Sequence, residues 1–238
     1  MADYQFSQDA TSRFSATAAA EQVTAFLRKV YGWMFVGLGI TAAVAYLVIA
    51  SPVLVRTIAQ NQILFLVLVF AELGLVFYLS ARAASLAPGT AAGLFVLYSA
   101  LNGVTLSLIL LMYTGASIAT TFMITAGMFG AMALFGSTTK RSLAGVGQFL
   151  FMGLIGLILA SIVGIFWRSE ALQFLISVVG VIVFTGLTAW DAQRLKQMAL
   201  SVPGGQLGSF AIVGALSLYL NFINLFLILL RFQGTSRD

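Results

Sequence analysis

The chain contains no cysteine and no histidine. The first absence removes disulfides, thiolate metal ligands and cysteine nucleophiles together. The second removes the side chain that titrates near neutrality unperturbed, so any pH response has to come from a carboxylate. Zinc sites built on imidazole go with it. Charge is scarce as well: Asp, Glu, Lys and Arg make up 8% of the 238 residues, against roughly 25% in a soluble domain. So few charges cannot clothe a water-facing surface. What fills the space is apolar, with 61% hydrophobic residues and a mean hydropathy of +1.04. The sequence is that of an integral membrane protein. Its net charge of +5 comes from Lys and Arg at loops and helix ends and gives no reason to expect nucleic acid as a partner.

A spanning helix needs about 20 mostly apolar residues. Seven stretches meet that criterion: 30–50, 63–81, 90–112, 117–136, 146–167, 171–190 and 207–230. Between them lie Pro/Gly turn signals and polar or charged breaks, among them Ser51-Pro52, Ala87-Pro88-Gly89 and Val202-Pro203-Gly204-Gly205. The weakest break, 113–116, predicts a tight hairpin of the third and fourth spans. The expected organisation is a flexible cytoplasmic tail over 1–27, a seven-helix domain over 28–233 and a short tail over 234–238. No basic region followed by an apolar one marks a cleavable signal peptide. Val23, Phe26, Leu27 and Val30 recur at helical spacing and suggest an amphipathic approach to the membrane.

Orientation follows from the basic residues of alternate loops. Arg13, Arg28, Lys29, Arg82, Lys140, Arg141, Arg194 and Lys196 fall on the N-terminal side; Arg56, Arg168, Arg231 and Arg237 fall on the other. Eight against four predicts a cytoplasmic N-terminus and, with seven spans, a C-terminus outside. Small residues repeat every four positions at Gly156, Ala160 and Gly164, and at Ala126 and Gly130, a pattern that lets helix backbones approach closely.

Few polar groups lie at membrane depth. The stretch 184–196, FTGLTAWDAQRLK, ends an apolar run on Trp190 and then meets Asp191, Arg194 and Lys196. Asp191 is the one aspartate set against a hydrophobic segment, since Asp3, Asp9 and Asp238 lie near the termini. It reads either as an ion or proton site or as a helix end anchored at the interface, with Asp191 and Arg194 paired at i, i+3. Glu72 sits mid-run in LVLVFAELGLVFYLS, where an exposed charge costs on the order of 3 kcal/mol, so it should face the bundle interior. There it serves as a pore group or as a buried, neutral hydrogen-bonding group. Ser99, Asn102 and Thr105 share a face of the third span and either line an aqueous path or bond a neighbouring helix. Asn221 and Asn224, at i, i+3 in the last span, require partners, so that helix should be surrounded by protein. Their carbonyls are also of the type that ligates hard cations beside a carboxylate.

The pairing of TGLTAWDAQRLK with ALSLYLNFINLFLILLRF, together with FAELGLVF in the second span, resembles the Bax inhibitor-1 family, the transmembrane Bax-inhibitor-motif proteins. The resemblance covers roughly residues 20–233. It implies an all-α seven-transmembrane bundle with six helices around a central seventh, and a pH-sensitive calcium leak. In channel-like members an aspartate ending the sixth span and another in the last share a proton, and a basic residue ending the second span plugs the pore. Asp191 matches the first aspartate and Arg82 the plug. Asn221 stands where the second aspartate is expected, so a shared-proton pair is not available here. By this resemblance Asp191, Arg82 and Asn221 form the gate, with Asp191 and Asn221 as a transient calcium site and Glu72, Asn102, Asn224 and Arg194 as accompanying polar groups.

The resulting expectation is a monomeric, pH-influenced calcium-permeable channel gated near its cytoplasmic mouth, in a bacterial inner membrane, with calcium as permeant ion and no cofactor. The alternative is an interaction protein that modulates a membrane-anchored ATP-dependent protease, as other bacterial relatives do, acting through residues 1–27. An enzyme is not expected. An intramembrane aspartyl protease needs two membrane aspartates, and a Ser–His protease needs a histidine. A retinal Schiff base needs a mid-helix lysine, but Lys29, Lys140 and Lys196 all lie at ends or loops.

Overall fold

The computed structural model describes residues 2–167, 169–202 and 206–235, with side chains from Thr17 onward. Arg168, Arg237, Asp238 and the Pro203-Gly204-Gly205 break lie outside the described residues, as do the side chains of Asp3, Asp9 and Arg13. Within them the chain forms eight helices: α1 Ala2–Ile49, α2 Pro52–Gln60, α3 Gln62–Ala81, α4 Pro88–Leu110, α5 Gly115–Thr138, α6 Ala144–Phe166, α7 Glu170–Ser201 and α8 Leu207–Gln233. All but α2 are long and apolar enough to cross a membrane. The predicted seven-span, all-helical architecture is what the structure shows.

Helix starts follow local chemistry. Ser51 accepts from the Leu54 amide and Pro52 opens α2; Asn61 Oδ1 accepts from Leu64 N at 2.9 Å to open α3. Thr114 caps α5, and Ser169 caps α7 with Glu170 in its first turn. Two boundaries differ from the sequence reading. The backbone expected to be a separate tail is helical from Ala2 and continuous with the first span, and Phe26 and Val30 are fully buried in the core. The sixth span runs on to Ser201, because residues 191–200 are good helix formers even though they are no longer apolar. Asp191 therefore sits inside a helix, not at its end. Some 21 residues from Glu170 correspond to about 32 Å of rise, so it still lies near the edge of a hydrocarbon core ~30 Å thick.

α8 is the centre. It packs on α1, α4, α5 and α7 and touches α3, while α6 is held mainly by α7. Its aromatic residues are the fastening points. Tyr219 meets Phe95 and Tyr98 of α4 edge-on at 5.8 and 5.7 Å between centroids. On another side Phe222 meets Phe122 and Phe129 of α5 at 5.4 and 5.5 Å, a geometry that adds to the burial of the rings. The outward surface is lined by apolar side chains such as Phe35, Phe70, Phe77, Phe149 and Phe166, a belt suited to lipid.

The predicted hairpin of the third and fourth spans is not a packed pair. The connection is short, but α4 packs on α1, α3 and α8, whereas α5 packs on α7 and α8. The small-residue stripes are also used differently from the expectation. A Cβ on Gly156 or Gly130 would meet nothing, and one on Gly164 would make only ordinary contacts with α7. The close crossings are elsewhere: a Cβ on Gly103 would strike the backbone of Thr41 in α1, and one on Gly136 the backbone of Ala189 in α7.

Candidate functional site

α7 is packed against α5, α6, α8 and α1, and this leaves nearly every residue from Leu187 to Leu195 buried. Asp191 is 8% exposed and Asn221, on the facing side of α8, 6%. Asn221 Nδ2 donates to Asp191 Oδ2 at 2.8 Å. The amide gives the carboxylate a proton donor but no countercharge, so among the described residues a buried anion here has one neutral hydrogen bond and, one turn on, the more distant charge of Arg194.

The residues around this pair fix α7 in place. Trp190 lies over Gly147 of α6, where a Cβ would collide with the indole ring. The Arg194 guanidinium stands 5.4 Å from that ring's centroid, a cation–π arrangement. The predicted Asp191–Arg194 ion pair is absent among the described residues; Arg194 is exposed and turned to Trp190 instead. Gln193, one residue before it, is buried. It donates Nε2 to Arg141 O at 2.8 Å and accepts from Leu143 N at 2.7 Å, which binds the α5–α6 loop to α7. Lys196 adds a bond to Ser137 O at 3.0 Å, and Gln22 of α1 donates to Ala199 O at 2.7 Å.

Arg82 is the C-cap residue of α3, exposed, and makes no ion pair with Asp191 among the described residues. Asn224 does not join the pair either: its Nδ2 donates to Leu220 O of its own helix at 2.8 Å. Arg231 is exposed. The structure thus brings together Asp191 and Asn221 and leaves the other expected gate residues apart from them.

Glu72 belongs to a second polar cluster. Its Oε1 accepts from Thr105 Oγ1 at 2.9 Å, and its Oε2 lies 3.2 Å from the Asn102 amide. Asn102 in turn meets the Tyr219 hydroxyl at 3.0 Å, which lies 2.6 Å from Thr41 Oγ1. Thr41 donates to Ser99 O at 2.8 Å. Four helices, α3, α4, α8 and α1, are linked this way, so the 99/102/105 face bonds neighbouring helices. Thr41, Tyr219 and Gln193 were not singled out from sequence. Tyr219 stands inside the LSLYLNF motif, and a phenol amid apolar residues was the available signal.

As cation ligands these residues are sparse. Calcium takes six to eight oxygens, and no group of three or more His, Cys, Asp or Glu side chains converges among the described residues. One carboxylate with one amide can serve a passing ion, not hold a resident one.

A central helix bonded through one asparagine to a buried aspartate, inside a ring of lipid-facing helices, defines a polytopic membrane protein with a buried polar pair in its core. The particular family is shown by comparison with known proteins. The family profile described as "Inhibitor of apoptosis-promoting Bax1" matches residues 23–238, and the chain belongs to the Bax inhibitor-1 family. Over 215 residues it is 50% identical to "Inner membrane protein YbhL" of Escherichia coli, covering 89% of this chain and 92% of that one. A protein of Borreliella burgdorferi is 45% identical over 215 residues, with 90% and 93% coverage. One of Caulobacter vibrioides is 43% identical over 238 residues, with 94% and 95% coverage.

Proposed function

We propose that this protein is a calcium-permeable leak channel of a bacterial inner membrane, influenced by pH and gated at Asp191 and Asn221. The observation that carries the reading is the 2.8 Å bond between a buried carboxylate on α7 and an amide on the central helix α8. Breaking it frees a carboxylate oxygen and lets the Asn221 amide turn its carbonyl toward a hydrated divalent cation, and separating α7 from α8 opens the path between them. Protonation of Asp191 removes the charge that attracts the cation. The printed name of the Escherichia coli relative supports the inner membrane as location. The excess of basic residues on the N-terminal side supports a cytoplasmic N-terminus, which puts the gate near the cytoplasmic face. No Lys or Arg forms an ion pair with Asp191 among the described residues, and the Arg194 charge acts on it only from the next turn, so titration of this group is a source of the pH response.

The test is reconstitution into liposomes with a trapped calcium dye. Entry above that of empty liposomes, altered in rate or pH profile by Asp191→Asn, is the expected result. Entry equal to empty liposomes at every pH from acid to neutral would refute the channel.

A second reading, modulation of a membrane-anchored ATP-dependent protease, is favoured by one feature. α1 has 48 residues, about 72 Å of helix, more than twice what the hydrocarbon core requires. Its N-terminal portion is a surface on which a protein partner can dock. Removing residues 2–16 should then change the turnover of membrane substrates while leaving calcium flux intact.

A further inference from the structure

The cluster around Glu72 contains one more short contact than it has protons to fill. Four contacts run in series: Glu72 Oε2 to the Asn102 amide (3.2 Å), the other end of that amide to Tyr219 Oη (3.0 Å), Tyr219 Oη to Thr41 Oγ1 (2.6 Å), and Thr41 Oγ1 to Ser99 O (2.8 Å). Each needs one proton between its heavy atoms. If Glu72 is ionised, Asn102 must point its NH2 at the carboxylate and its oxygen at Tyr219. The Tyr219 proton is then committed to Asn102. Thr41, with a single hydroxyl proton, is left to fill both its contact with Tyr219 and its contact with a carbonyl. Four contacts share three protons, and two oxygens 2.6 Å apart face each other with nothing between them whenever Thr41 bonds Ser99.

A neutral carboxyl removes the deficit. The acid proton on Oε2 donates to the Asn102 oxygen, the amide being turned end for end, an orientation set by its partners. Asn102 then donates to Tyr219, Tyr219 to Thr41, and Thr41 to the Ser99 carbonyl. Thr105 still donates to Oε1. Every contact of the series is filled, and those four point the same way, from α3 through α4 and α8 to α1.

We propose that Glu72 is a proton-binding site separate from the Asp191–Asn221 pair, occupied at neutral pH, and that its proton sets the direction of a hydrogen-bond chain joining α3, α4, α8 and α1. The surroundings agree. The titratable groups that face Glu72 are the phenols Tyr98 of α4 and Tyr219 of α8, and α1 contributes the neutral hydroxyl of Thr41. No Lys or Arg forms an ion pair with Glu72 among the described residues, so nothing there neutralises a carboxylate at this depth. Loss of the proton forces Asn102 to turn over and breaks one link at Tyr219, on the central helix. The cluster can therefore report proton loss to the helix that also carries Asn221, two residues further on.

Infrared spectroscopy of the full chain in lipid nanodiscs at neutral pH tests this directly. Expected is a protonated-acid carbonyl band that survives in Asp191→Asn and vanishes in Glu72→Gln. No such band, or a band lost in Asp191→Asn and kept in Glu72→Gln, would overturn the proposal. A second measurement guards against a folding artefact. Gln at position 72 has the donor and acceptor of a neutral acid, so Glu72→Gln should melt within a few degrees of the wild type and Glu72→Ala well below it. A Glu72→Gln protein as unstable as Glu72→Ala would show that the site requires the anion, and the proposal would fall.

Discussion

Asn221 and Asp191 are 30 residues apart in sequence and 2.8 Å apart across the α7–α8 interface, with the amide as donor and the carboxylate as acceptor. Replacing Asn221 by Asp turns a donor–acceptor pair into two acids that must share a proton. Asn221→Asp is expected to fold and to make calcium entry into liposomes depend more steeply on pH than in the wild type. An unchanged pH profile would mean that this pair does not set the response.

Asp191→Ala should be worse for stability than Asp191→Asn. The alanine leaves the buried Asn221 amide without an acceptor, at a cost of about 1–3 kcal/mol, whereas asparagine keeps a neutral partner in place. Thermal unfolding in a single detergent, compared across the two variants and the wild type, gives the order directly.

Gly136 and Gly156 make a matched pair of tests. Gly136→Ala places a methyl group against the Ala189 backbone, on the turn that carries Asp191, and should cost roughly 1–3 kcal/mol or more because backbone cannot swing aside. Gly156→Ala adds a methyl group to open, lipid-facing space and should change stability by no more than about 0.5 kcal/mol. Equal melting temperatures for the two variants would contradict the α5–α7 crossing.

Gln193→Leu removes both bonds that tie α7 to the α5–α6 loop. It strands an amide and a carbonyl of the loop, at about 1–3 kcal/mol if they stay buried. Hydrogen exchange should rise at residues 139–143 and remain unchanged within α8. Exchange that is the same in the loop would show that the clamp is dispensable.

The spans were legible because hydropathy marks them without help from tertiary structure. Their packing was less so, for identifiable reasons. Residues 191–200 lose the apolar signal while keeping helix propensity, so hydropathy ends the span at Trp190 although the helix continues to Ser201. α2, at nine residues, falls below the length of a span and carries no hydropathy signal of one. The small-residue stripe of α6 has the right spacing for a close crossing, yet Gly156 faces open space and Gly164 makes only ordinary contacts with α7, and spacing alone does not say what lies opposite. Asp191 and Asn221 were each visible as polar residues in apolar runs, and the family motif supplied the link between them. Contacts such as Tyr219 with Asn102, 117 residues apart, carry no local signal. Arg82 shows the converse: a resemblance suggested a partner that the geometry does not bring to Asp191.

The position of α8 at the centre also bears on how the protein is made. It is the last of the seven spans in chain order, so every earlier helix enters the bilayer before its principal packing partner exists. Until then Asp191 lacks the Asn221 amide, and Asn102 and Thr41, though bonded to Glu72 and Ser99, lack the Tyr219 hydroxyl that joins them. A chain truncated before Leu207 would carry six inserted helices without their common packing partner and with the Asp191 carboxyl missing its amide. Membrane quality control can recognise such a product. Completion of α8 is the event that converts a set of inserted helices into a finished protein.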